Sequence, residues 1–150
     1  MRHTCANILI LDEAREKVLL ARRAAHLLEG GKWCVPGGYM ELGQRARESA
    51  VREAKEETGY DVELLGLIGI IDNPERGDNG RENIVLVFAG IALGEQGVPD
   101  NESSEVAWFP LSSPPAPGEW AFDHRQILET YRARGVLPGP LESLFLGGRA

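Results

Sequence analysis

Between Gln44 and Thr58 the apolar residues Ala46, Ala50, Val51 and Ala54 recur along one stripe of a helix, and Gly59 supplies a left-handed stop just beyond them. A stripe made mostly of alanine lets a helix lie close against a sheet, so this segment requires a flat apolar surface elsewhere in the chain. The rest of its surface is charged. Glu53, Glu56 and Glu57 stand at i, i+3 and i+4 and project from one helical face. Their mutual repulsion is aggravated at the helix C-terminus, where the macrodipole favours positive charge, while Arg45 and Arg47 crowd the opposite end. A helix selected for stability alone reverses that order. A hard divalent cation compensates such a cluster, and an all-oxygen donor set suits Mg2+ or Mn2+ better than zinc. An isolated acidic helix face is usually just solvated; the wider spacing around this one argues otherwise.

Strand signals supply the surface. Ala6 to Leu11 and Lys17 to Arg22 flank the polar turn Asp12 to Glu16 as a hairpin. Trp33-Cys34-Val35 reads as a short strand that stops at Pro36-Gly37-Gly38, because the proline ring removes a ladder donor. Val62 to Ile71 and Asn83 to Leu93 are longer β-like runs separated by the loop from Asp72 to Gly80, and Glu105 to Phe109 is a third, short one. Trp120, His124, Ile127, Leu128 and Tyr131 repeat at helical spacing, with Asp123 and Gln126 at capping-box separation, which predicts a second helix. The order strands, helix, strands, helix predicts an α/β chain with a mixed sheet between helices. Val136 to Ala150 carries no clear element and is left either to pack on a partner or to fray.

At 150 residues and 43% hydrophobic content the chain suits one domain with a single core. Its formal charge of −7 argues against a broad nucleic-acid surface, which needs a basic stripe. An anionic substrate then needs local help from a cation. The apolar runs are far shorter than the roughly 20 residues that cross a bilayer. Met1-Arg2-His3-Thr4-Cys5 lacks the pattern of a secretory signal, so a cytoplasmic protein away from membranes is expected. Cys5 and Cys34 have no ligand spacing and read as buried thiols.

From Gly38 the sequence runs GYMELGQRARESAVREAKEETGY. This resembles the Nudix box, in which a glycine and a glutamate precede Arg-Glu-x-x-Glu-Glu-x-Gly and an apolar position. Gly38, Arg52, Glu53, Glu56, Glu57 and Gly59 match at the right spacing, and the likeness continues through Trp33 to Gly37, Glu102 to Phe109 and Ala121 to His124. The resemblance implies a Nudix-type α/β/α sandwich and hydrolysis of a phosphoanhydride. It implies metal binding by Glu53, Glu56 and Glu57 with the Gly37 carbonyl, and an Arg52 that orients a catalytic glutamate. The ordinary alternative for Arg52 is a helix ion pair with Glu48. A further acid, ligand or water-activating base, comes in such proteins from a loop before a late strand; Glu102 and Glu105 match, and Glu102 is preferred. The implied catalytic set is thus Glu53, Glu56, Arg52 and one of Glu102 and Glu105. One departure is Gln44 at the first box glutamate, which keeps an acceptor oxygen but loses the charge and puts one metal subsite and the Arg52 contact in question.

Substrate choice lies outside the box. Pro74 and its neighbours Asp72, Asn73, Glu75 and Arg76, followed by Arg81, are similar to members acting on ADP-ribose. Arg22, Arg23, Arg76 and Arg81 are candidate phosphate contacts, and Trp33, Tyr39 and Phe88 candidate base-stacking rings. A small nucleotide is the expected partner: NDP-X first, ADP-ribose or a related ADP-sugar favoured. A (d)NTP releasing pyrophosphate is the enzyme alternative, and a Nudix-like sensor that binds without turnover is the other. Members often dimerise, so a homodimer is a further expectation of the resemblance.

Overall fold

The computed structural model describes residues 2–74 and 82–147. In chain order the elements are β1 (Arg2–Leu11), β2 (Lys17–Arg23), β3 (Trp33–Cys34), β4 (Gly37–Tyr39), α1 (Ala46–Thr58), β5 (Asp61–Ile71), β6 (Glu82–Leu93), β7 (Ser103–Pro110) and α2 (His124–Arg134). The first hairpin forms as expected, with Ile10 opposite Leu19 and Leu11 opposite Val18. Its turn is fastened by Asp12, whose carboxylate accepts the Glu16 and Lys17 N–H groups at 2.8 and 2.9 Å.

β1 is the centre of a mixed sheet. It runs parallel to β6 from Arg2↔Glu82 to Leu11↔Ile91, and β5 is antiparallel to β6 on the far side. The other edge of β1 is shared: β4 pairs with its first half at Cys5, Ala6 and Asn7, and β2 with its last residues. β2 carries β3 and β7 in turn. Both faces of β1 are covered, which is why Cys5 to Leu11 are all buried. Ala6, Ile8 and Ile10 meet Ala46, Ala50 and Ala54 of α1 on one face, whereas Leu9 and Leu11 meet Ile127 and Leu128 of α2 on the other. The architecture is therefore the expected α/β/α sandwich, and the alanine stripe is the α1 contact. Among the described residues no helix is long and apolar enough to cross a membrane.

Several expectations need correction. The chain does not leave the sheet at Pro36: its carbonyl accepts the Ile8 N–H at 2.9 Å, and Gly37–Tyr39 continue along β1 as a strand. The interruption covers Val35, whose N–H goes to the His124 ring, and Pro36, which has none, and across it the chain changes partner from β2 to β1. Helix α1 begins at Ala46, two residues after Gln44, because Glu48 accepts the N–H of the N-cap Arg45 at 3.1 Å. β7 is eight residues, longer than its apolar centre. Asp123 is the N-cap of α2, but its side chain makes no cap hydrogen bond, and Trp120 lies before the helix, bridged to Trp33. Cys5 and Cys34 are buried free thiols.

The C-terminal stretch packs on its own domain from Leu137 to Phe145. The Leu137 N–H donates to Leu67 O at 2.8 Å, and Leu141 and Phe145 pack on the α1 side of the core. Phe145 stacks on Phe88 with ring centroids 6.1 Å apart, while the Arg47 guanidinium sits 4.6 Å above the Phe145 ring. That cation–π contact accounts for a basic residue in the first turn, where the dipole disfavours it.

Helix α1 ends at Gly59, with φ 82° and ψ 0°. A Cβ at this position would also collide with the Gly97 carbonyl. Gly59→Ala is expected to cost about 1–3 kcal/mol of stability in urea unfolding, because both strain and clash arise at one residue. Stability within a few tenths of a kcal/mol of wild type would show that the turn relaxes freely.

Candidate active site

The last carbonyls of a helix lack intrahelical donors and must find partners elsewhere. In α1 they are met by the β6–β7 connection. Asp100 N–H donates to Glu56 O at 2.7 Å, Ser103 Oγ to Glu57 O at 2.9 Å, Gln96 Nε2 to Thr58 O at 2.8 Å and Gly97 N–H to Gly59 O at 2.7 Å. This docking brings Asp100 and Glu102 to the acidic end of α1. Sequence reasoning singled out Glu102 and missed Asp100, whose carboxylate accepts the Glu102 N–H at 3.0 Å. The only local signal for it was its place two residues before Glu102.

Glu53 and Glu57 are both buried, 8% and 9% exposed, whereas Glu56 is exposed. Burial, then the charge of Glu53, pushes the Glu57 carboxyl well above its usual range; Asp100 and Glu102 add to the rise, and the Gly37 N–H, donating to Glu57 at 3.2 Å, opposes it. Glu53 is raised for the same first reason, with Arg52 opposing and Glu56 and Glu102 reinforcing. Gly38 lies directly above: a Cβ on it would fall 2.6 Å from a Glu53 carboxylate oxygen.

Arg52 gathers the site. Its Nη1 lies 3.1 Å from both Glu53 and Glu56 and 3.7 Å from Glu41, and its Nη2 donates to Tyr39 O at 3.2 Å. Its Nε donates to Gln44 Oε1 at 3.2 Å. The glutamine at the usual glutamate position thus preserves the acceptor. Glu48, the alternative partner for Arg52, is occupied at the helix N-cap.

The remaining candidates separate. Glu105 stands opposite Arg22 in the β2–β7 ladder and pairs with it at 3.4 Å, both side chains half exposed, so neither joins the acidic cluster. Arg23 donates to Leu28 O at 2.7 Å and lies 4.9 Å from the Phe122 ring, which is presented from a left-handed φ of 50°. Arg23, Gly37, Gly38, Asn7, Phe122 and His124 line a cavity of about 180 Å3, which shares Gly37 and Gly38 with the acidic face. Trp33 and Phe88 are core residues, while Tyr39 is exposed and rests on His3. Arg76 and Arg81 lie outside the described residues. Asn7, Phe122 and His124 are the residues that sequence reasoning did not assign to a site.

Among the described residues no three acidic, cysteine or histidine side chains already surround one ion position. Glu53 and Glu56 turn to Arg52, and Glu57 turns to the Gly37 N–H. The donor set nonetheless fits a hard cation: it is all oxygen, and two of its carboxylates are buried at the negative end of a helix dipole.

Residues 1–131 match the NUDIX domain family. The chain is 33% identical over 119 residues to an ADP-ribose pyrophosphatase of Methanocaldococcus jannaschii, covering 79% of this chain and 68% of that protein. It is 32% identical over 103 residues to a putative 8-oxo-dGTP diphosphatase of Bacillus subtilis, covering 69% of this chain and 63% of the relative, so it spans about two thirds of each relative's length. Its fold is shared with the NUDIX domain of Shewanella oneidensis NrtR, solved in complex with ADP-ribose, at a TM-score of 0.73 and 22% identity over 89% of this chain and 88% of that one. With the box helix, its acidic face and the sandwich in place, the chain belongs to the Nudix hydrolase family.

Proposed function

We propose that this protein hydrolyses the phosphoanhydride of a nucleoside diphosphate linked to a second group, ADP-ribose or a related ADP-sugar, with Mg2+ or Mn2+ as cofactor. The observation that carries this is the burial of Glu53 and Glu57 against Gly38 and Gly37, two glycines that also line a cavity to which Arg23 belongs. Glu53, Glu56, Glu57 and the Gly37 carbonyl are the groups to hold the metal, which supplies charge neutralisation at the phosphates and acidifies a water molecule. Arg52 holds Glu53 and Glu56 in orientation through its Nη1 contacts. Glu102 is the group to take the proton from the attacking water, since it is anchored beside the acids and Glu105 is paired away. Water attacks phosphorus, the anhydride P–O bond breaks, and a nucleoside monophosphate leaves together with the phosphorylated remainder. Arg23 lines the cavity next to Gly37 and is the candidate contact for the substrate's negative charge. The name of the methanogen relative supports ADP-ribose, and that of the Bacillus relative supports a purine nucleoside triphosphate as second reading.

A panel of ADP-ribose, other ADP-sugars and dNTPs with Mg2+, assayed for nucleoside monophosphate, phosphosugar and pyrophosphate, tests this. AMP and ribose 5-phosphate are the expected products from ADP-ribose. Pyrophosphate from dNTPs alone selects the second reading, and thermal stabilisation by a compound that is never cleaved leaves a sensor.

Glu57→Gln is expected to lower turnover on the order of 10²-fold, through lost electrostatic support of the transition state. Unchanged turnover at saturating Mg2+ sinks the assignment of Glu57.

The same variant has a pH signature without metal. A carboxyl whose folded pKa is raised destabilises the fold increasingly as pH climbs from its ordinary value of 4.5 through the raised value. The stability of Glu57→Gln relative to the metal-free wild type should therefore grow from pH 4.5 toward neutrality, and Mg2+ should stabilise the wild type more than the variant. A flat difference across that range means that Glu57 carries no such burden.

A further inference from the structure

His124 opens α2, and its ring is buried at 7% exposure. Its Nδ1 accepts the Val35 N–H at 2.9 Å. A backbone N–H only donates, so Nδ1 is the lone-pair nitrogen and the neutral ring carries its proton on Nε2. Nε2 lies 3.4 Å from Nδ2 of Asn7, and since two N–H groups cannot bond to each other, the amide is assigned turned by half a revolution. An Nε2–H needs an acceptor, and the amide's carbonyl oxygen is the edge that complements it.

The Val35 and Asn7 contacts of the ring lead to the same place. Val35 is followed by Pro36 and Gly37, and Pro36 O is held by the Ile8 N–H. Asn7 stands opposite Gly37 in the β1–β4 ladder, and the end of its side chain fills the space where a Cβ on Gly37 would sit. The Gly37 N–H then donates to Glu57 at 3.2 Å. A buried polar path thus joins the first residue of α2 to the acidic face of α1. Ile127 and Leu128, 4% and 2% exposed, also fasten α2 to the core.

We propose that His124 is a positioning residue of the active site. As a neutral Nε2–H imidazole it clamps the Val35–Gly37 turn and the Asn7 amide, and through them sets the Gly37 backbone against Glu57. The inference rests on the acidic face being the reaction centre, and deepens that assignment by naming what orients it from the opposite side of the sheet.

The test uses the full chain. Long-range 1H–15N imidazole spectra of the wild type at neutral pH are expected to show the Nε2–H tautomer for His124. In His124→Phe, kcat for ADP-ribose should fall roughly ten- to hundredfold with KM changed by less than about twofold, as for groups that orient metal ligands. Mn2+ binding to the protein alone should weaken, and the Gly37 amide resonance should shift. His124→Asn, which keeps a carbonyl acceptor close to the Nδ1 position, should recover part of each loss. The proposal is overturned by a charged or Nδ1–H ring, or by a Phe variant with unaltered kcat, Mn2+ affinity and Gly37 resonance. It is also overturned by a change in KM alone, which makes His124 a substrate contact. Should the Phe variant fail to fold, the wild-type spectrum and the Asn variant decide. Should the wild type cleave no NDP-X compound, the reaction assigned above fails, while Mn2+ binding and the Gly37 resonance still decide the role of His124.

Discussion

Glu53 and Glu57 are four residues apart on α1, both nearly enclosed by protein, and the charge of the first joins burial in resisting ionisation of the second. Water is mostly excluded, and the helix end contributes negative potential of its own. Two carboxylates in that position are tolerable only where protons or a cation supply the missing positive charge. The Arg52 guanidinium is spread over Glu41, Glu53 and Glu56 and leaves Glu57 with a backbone N–H. Among the described residues the positive charge at the acidic end of the helix falls short of the negative, and what surrounds it keeps it from relaxing.

Three devices keep it in place. Ala46, Ala50 and Ala54 bury the sheet-facing stripe of α1 in one cluster with Ala6, Ile8 and Ile10 of β1, which fixes the face that the glutamates present. The β6–β7 connection takes up the free carbonyls of its last turn, which fixes that turn and carries two further acids to it. Glycines at 37 and 38 let the facing strand approach without side chains in the way. Each device is an unremarkable packing or capping solution by itself. Together they hold like charges against one another at one end of the helix.

Legibility in the sequence followed the range of the interaction. The box helix was readable because its alanine stripe, its glutamates and Gly59 are all local, set by one helical repeat. Hairpin and strand runs were readable for the same reason. Pro36 misled because a local rule about donors was applied beyond the one residue it governs: the neighbouring backbone still found partners on β1. Asp100, Asn7 and His124 acquire their places only through contacts between elements distant in the chain, and a buried histidine opening a helix looks the same in sequence as any core residue. The choice between Glu102 and Glu105 needed the ladder, in which Glu105 falls opposite Arg22. The tail was unreadable because its anchor, the Phe88 ring, belongs to a strand far upstream.

The parallel ladder between β1 and β6 has a consequence for how the molecule comes into being. Ten successive residues of β1, from Arg2 to Leu11, pair with a strand that begins at Glu82, so most of the chain must exist before the centre of the sheet can close. Such non-local pairing incurs loop-closure entropy before any contact repays it, which slows folding. On the ribosome the apolar run Cys5 to Leu11 emerges early, with only its hairpin partner β2 and later β4 beside it, and one hydrogen-bonding edge stays open until β6 arrives. The short charged turn at Asp12 to Glu16 lies next to that exposed run. During synthesis, the segment that ends as the most protected strand in the protein is the one most open to pairing with another chain.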